Sequence, residues 1–329
     1  MIVLPAKIWM NSPVFIIACD RSGTTLLRLM LNQSPTLYIG PETGFLDRLR
    51  KRQKVYGDFA KPYQRYFFLR DLQTNKASSR KYSFSAFDLS VEEAEAAIAK
   101  VSPTNYAGAA AALFQACADK HGKSCWGDKT PRYIFDLDWL VNAYPTAKFI
   151  HLIRDGRDVA ASIIRAGWMN NFVKAAHYWQ ERVAVARGAG EKIGSERYCE
   201  LRYEQLITEP EKTLKDLCIW LDIAYTDAML KHHESEAAQK TGKQGQDSLH
   251  RLVAKPVDAS RAYAWKQELS RGQVADFESV AGDLLRQLTY EVIGAKVPLP
   301  LQASRAMTQA IKSYLHKKAP MTARRLGIN

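Results

Sequence analysis

Five adjoining residues, Arg21, Ser22, Gly23, Thr24 and Thr25, have the groups needed to hold a phosphate-like anion. A guanidinium presents a planar fork of donors that matches phosphate oxygens. The hydroxyls add donors, and glycine lets the backbone turn tightly enough to aim its own N–H groups at one point. The flanking sequence supports that use. Residues 14–19, Val-Phe-Ile-Ile-Ala-Cys, form a short apolar run that reads as a buried strand. Residues 24–33 repeat Leu26, Leu27, Met30 and Leu31 at helical spacing. Strand, glycine turn and helix start together bring unpaired N–H groups and the positive end of a helix dipole to one spot. In a parallel sheet that spot lies at the carboxyl end of a strand, where ligands bind. Plain capping is the alternative use of Ser22 and Thr24, but capping requires neither Arg21 nor Gly23. The stretch is not a Walker A loop: the G-x-x-x-x-G-K-S/T spacing is absent and no lysine precedes the two threonines.

A second stretch repeats the outline. Residues 148–153 read as a buried strand, Arg154-Asp155-Gly156 as a turn and 157–165 as a helix, with Ser162 eight residues after Arg154. Two strand-end arginines on neighbouring strands can bracket a molecule with two phosphates. The alternative for Arg154 is a surface ion pair with Asp155 or Asp158, which contributes little. Arg157 reads as solvated or paired, not as a ligand. Three further segments carry groups fit for chemistry: Gly40-Pro41-Glu42-Thr43, Trp126-Gly127-Asp128-Lys129-Thr130-Pro131, and Leu201-Arg202-Tyr203-Glu204. A glutamate can act as general base within hydrogen-bond reach of a hydroxyl. A lysine can stabilise charge developing on a leaving oxygen. An aromatic face suits a nucleobase.

Taken together, these segments resemble the sulfotransferases that use 3′-phosphoadenosine 5′-phosphosulfate (PAPS), over roughly residues 13–290. The resemblance implies that Arg21, Ser22, Gly23, Thr24 and Thr25 bind the phosphosulfate. Arg154 and Ser162 would hold the 3′-phosphate and so select PAPS over ATP. Lys129 would reach the oxygen bridging phosphate and sulfuryl group, and Tyr203 would lie near the nucleoside. In the protein-tyrosine branch a base glutamate occupies a place similar to that of Glu42. The cytosolic small-molecule branch uses a histidine soon after the lysine motif, where this chain has Pro131, Arg132 and Tyr133. The resemblance is therefore to the carbohydrate, protein-tyrosine and bacterial side of the family. The Gly-rich basic loop of cytosolic members is also missing. Lys255, Ser260, Arg261 and Trp265 lie in the comparable region, and Lys255 and Arg261 are expected to take over binding of the cofactor. The implied reaction moves a sulfuryl group from PAPS to a hydroxyl of a small molecule, natural product or glycan, leaving PAP and using no metal. A P-loop-type kinase, or a non-enzymatic anion or membrane binder working through its basic tail, are the competing readings.

The elements that must position these groups alternate strand with helix, which argues for an α/β fold with a parallel sheet covered on both faces. The resemblance makes that sheet P-loop-NTPase-like, with helical insertions and a basic C-terminal helix. A third strand is expected at 197–201 and further helices at 42–54, 91–121, 170–190, 209–221 and 270–288; the polar stretch 233–262 reads as a loop or lid. The chain has 329 residues and a net charge of +13, which favours anionic partners. Residues 296–329 carry seven Lys or Arg and no acid, about half of that excess. A division into a 1–295 sulfotransferase domain and a 296–329 tail follows. Residues 303–318 have a helical period, suited to solvent or to weak contact with an anionic membrane. No nucleic-acid partner is expected. The five cysteines include no C-x-x-C pair, so neither a disulfide framework nor a zinc knuckle is expected. His151 falls inside a strand and reads as a core residue, and His177, His232 and His233 lack metal-ligand spacing. The apolar N-terminal stretch is interrupted by Pro5, Lys7, Asn11 and Pro13, and no long apolar run follows. A cytoplasmic protein is the expectation.

Overall fold

Short apolar runs flanked by helices do form the predicted sheet. The computed structural model describes residues 12–74, 84–244 and 251–294. Five parallel strands run in the order β2-β3-β1-β4-β5. They are β1 Val14–Ala18, β2 Leu37–Ile39, β3 Cys125–Lys129, β4 Lys148–Ile153 and β5 Tyr198–Arg202. The central strand β1 pairs with β4 in the register Ile17↔His151 and with β3 in the register Ile16↔Lys129. Arg21, Lys129 and Arg154 therefore leave the sheet at the same, carboxyl edge. Adjacent strand residues face opposite layers. Phe15 and Ile17 join a core with Trp126, Tyr144 and Phe149. Val14, Ile16 and Ala18 join another with Leu27, Leu31 and Leu217. Both faces are thus covered, as an all-parallel sheet requires.

The helices Thr24–Leu31, Gly156–Arg165, Phe172–Ile193, Pro210–Leu221 and Arg271–Gln287 lie where the sequence periods put them. Three expectations change. The stretch 91–121 is two helices, Val91–Val101 and Tyr106–Lys120. Ser102 takes a left-handed φ of 47° and Pro103 follows, so the first helix cannot continue. The stretch 42–54 yields only Leu46–Arg50 and Gln53–Tyr56, which leaves Glu42 in the connection after β2. The segment 233–262 is not irregular throughout: Glu236–Gln244 is an α-helix, and 3-10 turns occupy Arg251–Ala254 and Ala259–Arg261. The division at 295/296 and the tail helix at 303–318 lie outside the described residues.

Candidate active site

The loop after β1 is built to leave its helix open. Arg21 and Gly23 both adopt left-handed conformations, with φ of 69° and 96°. Gly23 is the N-cap residue of Thr24–Leu31, and no side chain caps that helix. The first intrahelical bond runs from Leu27 N to Gly23 O, so the N–H groups ahead of Leu27 point out of the turn. Gly23 is needed for a second reason: a Cβ there would stand 2.5 Å from Cδ2 of Tyr203. Ser22 is buried, and its Oγ has no hydrogen-bond partner among the described residues.

The unit after β4 closes itself instead. Asp155 caps Gly156–Arg165 by accepting from Arg157 N at 2.9 Å. The Arg157 guanidinium returns to the same carboxylate through Nε at 3.0 Å and Nη2 at 2.7 Å, and reaches Glu278 at 2.8 Å. It lies 3.6 Å from the ring centroid of Trp265. Arg157 is therefore paired and fully buried, and the solvated alternative falls away. Trp265 donates Nε1–H to Asp155 and its backbone N–H to Asp158. Arg154 is left to face outward. Its Nη1 donates to Arg21 O at 3.4 Å, its guanidinium carbon lies 4.4 Å from the Tyr203 ring centroid, and its buried Nε has no partner among the described residues. The surface pair expected as the alternative is loose: Asp158 lies 3.8 Å away and is itself buried.

The two units meet. Arg21 Nε donates to Ser162 Oγ at 3.2 Å. Burial first, then the neighbouring Arg154 charge, lowers the Arg21 pKa. Arg21, Gly23, Thr24, Thr25, Arg154 and Ser162 border one cavity of about 820 Å³, and Tyr203 joins them. Its opposite wall brings in Lys255 and Arg261, so both residues expected from the 225–265 region reach the same space. Ser260 and Trp265, named from that region as well, serve the scaffold: Ser260 Oγ bonds Asp258, and Trp265 is locked as described.

Glu42 and Lys129 are not among the residues that border this cavity and form a pair of their own. Lys129 Nζ lies 3.1 Å from Glu42 Oε2; the lysine is nearly buried, whereas the Glu42 side chain keeps 20% exposure. Beside them Asp128 is buried, and its carboxylate accepts from Thr43 Oγ1 at 2.9 Å and Thr130 Oγ1 at 3.0 Å. Burial pushes the Asp128 carboxyl up to about 6, against the pull of those two hydroxyls. His151 is a core residue, fully buried with Nδ1 2.7 Å from Tyr198 Oη.

Sequence reading missed Arg165, Arg251 and Asp158, which also line the cavity. Arg165 and Asp158 fall on the Ser162 face of one helix, three and four residues away, a signal the sequence did contain. Arg251 carries no comparable signal. Asp128 and Thr43 stood inside quoted motifs without a role.

The sulfotransferase family's sequence profile matches residues 13–227. The chain belongs to the sulfotransferase family. Protein-tyrosine sulfotransferase A of Caenorhabditis elegans is 25% identical over 84% of this chain and 67% of its own length. The Drosophila melanogaster protein-tyrosine sulfotransferase is 26% identical over 84% of this chain but only 51% of its own length. The chain thus spans about half to two thirds of these relatives. Among solved structures, the sulfotransferase domain of the Synechococcus PCC 7002 olefin synthase superposes with a TM-score of 0.60 at 23% identity, covering 88% of this chain and 98% of that one. The sulfotransferase domain from the curacin biosynthetic pathway gives 0.57 at 20%, covering 86% and 99%. The fold and the enzyme class expected from the sequence are borne out, and the protein-tyrosine side of the family is where the relatives fall.

One expectation is corrected. The relatives are animal protein-tyrosine sulfotransferases, and this overturns the cytoplasmic reading. Interruption of the N-terminal apolar stretch was too weak a basis for assigning a compartment. Among the described residues no helix is long and apolar enough to cross a membrane.

Proposed function

We propose that this chain transfers a sulfuryl group from PAPS to the phenolic hydroxyl of a protein tyrosine, releasing PAP. The observation that carries the donor half is the meeting of Arg21, Ser162, Arg154 and Tyr203 at one cavity. PAPS brings anionic groups at two ends, and each end needs its own donors. The open helix start with Ser22 to Thr25 suits the phosphosulfate. Arg154 and Ser162 suit the 3′-phosphate and so favour PAPS over ATP, with Lys255 and Arg261 closing from the far wall. Buried Ser22 Oγ and Arg154 Nε, partnerless among the described residues, fit a ligand that supplies acceptors. An anion between Arg21 and Arg154 relieves their mutual repulsion, which adds to burial in lowering the Arg21 pKa. Tyr203 supports the Arg154 guanidinium on its ring beside the nucleoside end.

The names of the relatives support a protein tyrosine as acceptor, in place of the small molecule or glycan expected from the sequence. A phenol ionises near pH ~10, so its proton must be taken up during attack. Glu42 is the base. Lys129 stabilises the charge that builds on the departing phosphate oxygen. Their ion pair holds both in waiting, and donor binding turns Lys129 away so that the carboxylate is open to a proton. The acceptor oxygen bonds to sulfur as the bond from sulfur to the bridging oxygen breaks. The proton passes to Glu42, and PAP keeps the electron pair of the broken bond.

Two measurements test this. Calorimetry without Mg²⁺ should find adenosine 3′,5′-bisphosphate bound at least about tenfold more tightly than ADP, the worth of one charge-assisted hydrogen bond. A preference for ADP, or binding that requires Mg²⁺, would overturn the donor assignment. With PAPS and a tyrosine-containing peptide, Glu42→Gln should lower kcat by about 100-fold or more. Transfer to small phenols or sugars with none to the peptide would overturn the acceptor class.

A further inference from the structure

The carboxylate of Asp128 touches neither of the two proposed reacting groups, yet it holds the neighbour of each. Thr43, whose hydroxyl binds Oδ2, directly follows Glu42; Thr130, whose hydroxyl binds Oδ1, directly follows Lys129. Thr130 Oγ1 also accepts from Gly44 N at 3.4 Å. Two adjoining pairs, Asp128 with Thr43 and Lys129 with Glu42, therefore fasten residues 42–44 to the end of β3. All three members of the hydroxyl–carboxylate cluster are buried. The second of the two pairs must open if Lys129 and Glu42 are to act on other molecules. When it opens, the bonds of Asp128 and Thr130 remain to hold Glu42 in place.

We propose that Asp128 is a positioning residue: by gripping Thr43 and Thr130 it fixes where the Glu42 carboxylate stands relative to Lys129 once their ion pair is released. The inference rests on the roles given above to Glu42 and Lys129. A fully buried carboxylate with its pKa pushed up to about 6 costs folding free energy at neutral pH. A group kept against such a cost is expected at functional sites.

The test uses the full chain and four substitutions: Thr43→Val, Thr43→Ser, Asp128→Asn and Glu42→Gln. Valine copies the shape of threonine and removes only the hydroxyl; serine keeps it. With PAPS and a tyrosine-containing peptide, Thr43→Val should lower kcat about tenfold, in line with the steep cost of sub-ångström misplacement. Thr43→Ser should recover to within about threefold of the parent, as expected when the hydroxyl rather than its methyl group matters. Affinity for adenosine 3′,5′-bisphosphate should stay within about twofold in both, because neither substitution alters Arg21, Arg154 or Ser162. Asp128→Asn should fall at least as far in kcat without losing thermal stability at pH 8, since it removes the buried charge. A crystal structure of Thr43→Val with adenosine 3′,5′-bisphosphate bound should find the Glu42 carboxylate displaced from its place in the parent complex, a readout that needs no turnover. Unchanged kcat in Thr43→Val, parallel loss of kcat and bisphosphate affinity, failure of serine to rescue, or an unmoved Glu42 would each overturn the positioning role. Full turnover by Glu42→Gln would instead overturn the base assignment beneath it. Loss in Glu42→Gln with none in Thr43→Val would sink the positioning role alone.

Discussion

The strand–turn–helix units that carry Arg21 and Arg154 share an outline in sequence and use their helix starts in opposite ways. After β1 the start is uncapped: Gly23 offers no side chain and the Ser22 hydroxyl has no partner among the described residues. After β4 the start is filled by the chain's own anion, Asp155, which is in turn gripped by Arg157 and Trp265. A helix N-terminus is an anion site only when nothing in the protein already occupies it. The first unit therefore contributes backbone donors. The second contributes side chains, Arg154 and Ser162, mounted on a rigid buried network.

The difference can be broken from the scaffold side first. Arg157→Leu leaves Asp155 and Glu278 buried without their cation, and such a loss costs about 3–5 kcal/mol. Thermal or urea unfolding should register it, with affinity for the bisphosphate nearly unchanged in the protein that remains folded. Normal stability with weakened bisphosphate binding would mean that Arg157 faces the ligand and that the second unit is not self-sealed. Next in size is Gly23→Ala. The left-handed φ of 96° costs about 1–2 kcal/mol for an L-residue, and the new Cβ meets the Tyr203 ring. Bisphosphate affinity should fall by about 100-fold, since a displaced loop loses more than one charge-assisted bond. If calorimetry finds the affinity kept, the open start is not where the anion sits. Arg154→Ala sharpens the comparison further. It should remove about 10–100-fold of affinity for the 3′,5′-bisphosphate and leave binding of adenosine 5′-phosphate alone, the worth of one charged hydrogen bond. Equal losses for both nucleotides would erase the division of labour between the units.

Much of this was legible because the informative residues are local. The anion loop, Arg154 with Ser162, and the strands 14–19 and 148–153 each lie in one continuous stretch with a period or a turn signal. Glu42 and Lys129, from segments 87 positions apart, lie 3.1 Å from each other, a pairing that their separate motifs did not announce. What sequence could not give is long-range pairing. Nothing in the spacing of Trp265 announces that it closes on Asp155, and nothing marks Arg251 as a wall of the cavity. Lys129 is the last residue of a strand reading Cys-Trp-Gly-Asp-Lys, all of it buried. A rule that seeks apolar runs passes over such a strand, and the role of Asp128 went with it. A helix over 42–54, as the sequence suggests, puts Glu42 at its start, where acids are favoured. Gly44 and Phe45 delay the helix to Leu46, so the carboxylate stands free of it.

The mildest contrast lies in the strands themselves. Where β1 has Ile17, β4 has His151 at the paired position. Burial lowers the His151 pKa to about 3, with help from Arg187 and Arg202. In the unfolded chain it titrates near ~6.5. Between those values the unfolded state binds the proton and the folded state does not, so stability falls as pH drops from about 6.5 towards 3. The full contribution is present above pH ~6.5 and none of this loss is felt there. His232, lowered to about 4, acts in the same direction. Asp128 and Asp158, both raised to about 6, act in the opposite one: the folded state binds their protons first, so between pH ~6 and ~4 they favour folding as acid is added. His151→Asn keeps a polar atom near Nδ1 for Tyr198 and removes the titration. At pH 7.5 its stability should lie below the parent by no more than about 1 kcal/mol, the net worth of a hydrogen bond. At pH 5.5 the variant should gain on the parent by about 1 kcal/mol, one pH unit below the free histidine value. Urea midpoints at the two pH values measure that difference directly. Parallel shifts at both would mean that His151 is protonated in the folded sheet, and that the two central strands are more alike in their electrostatics than their burial implies.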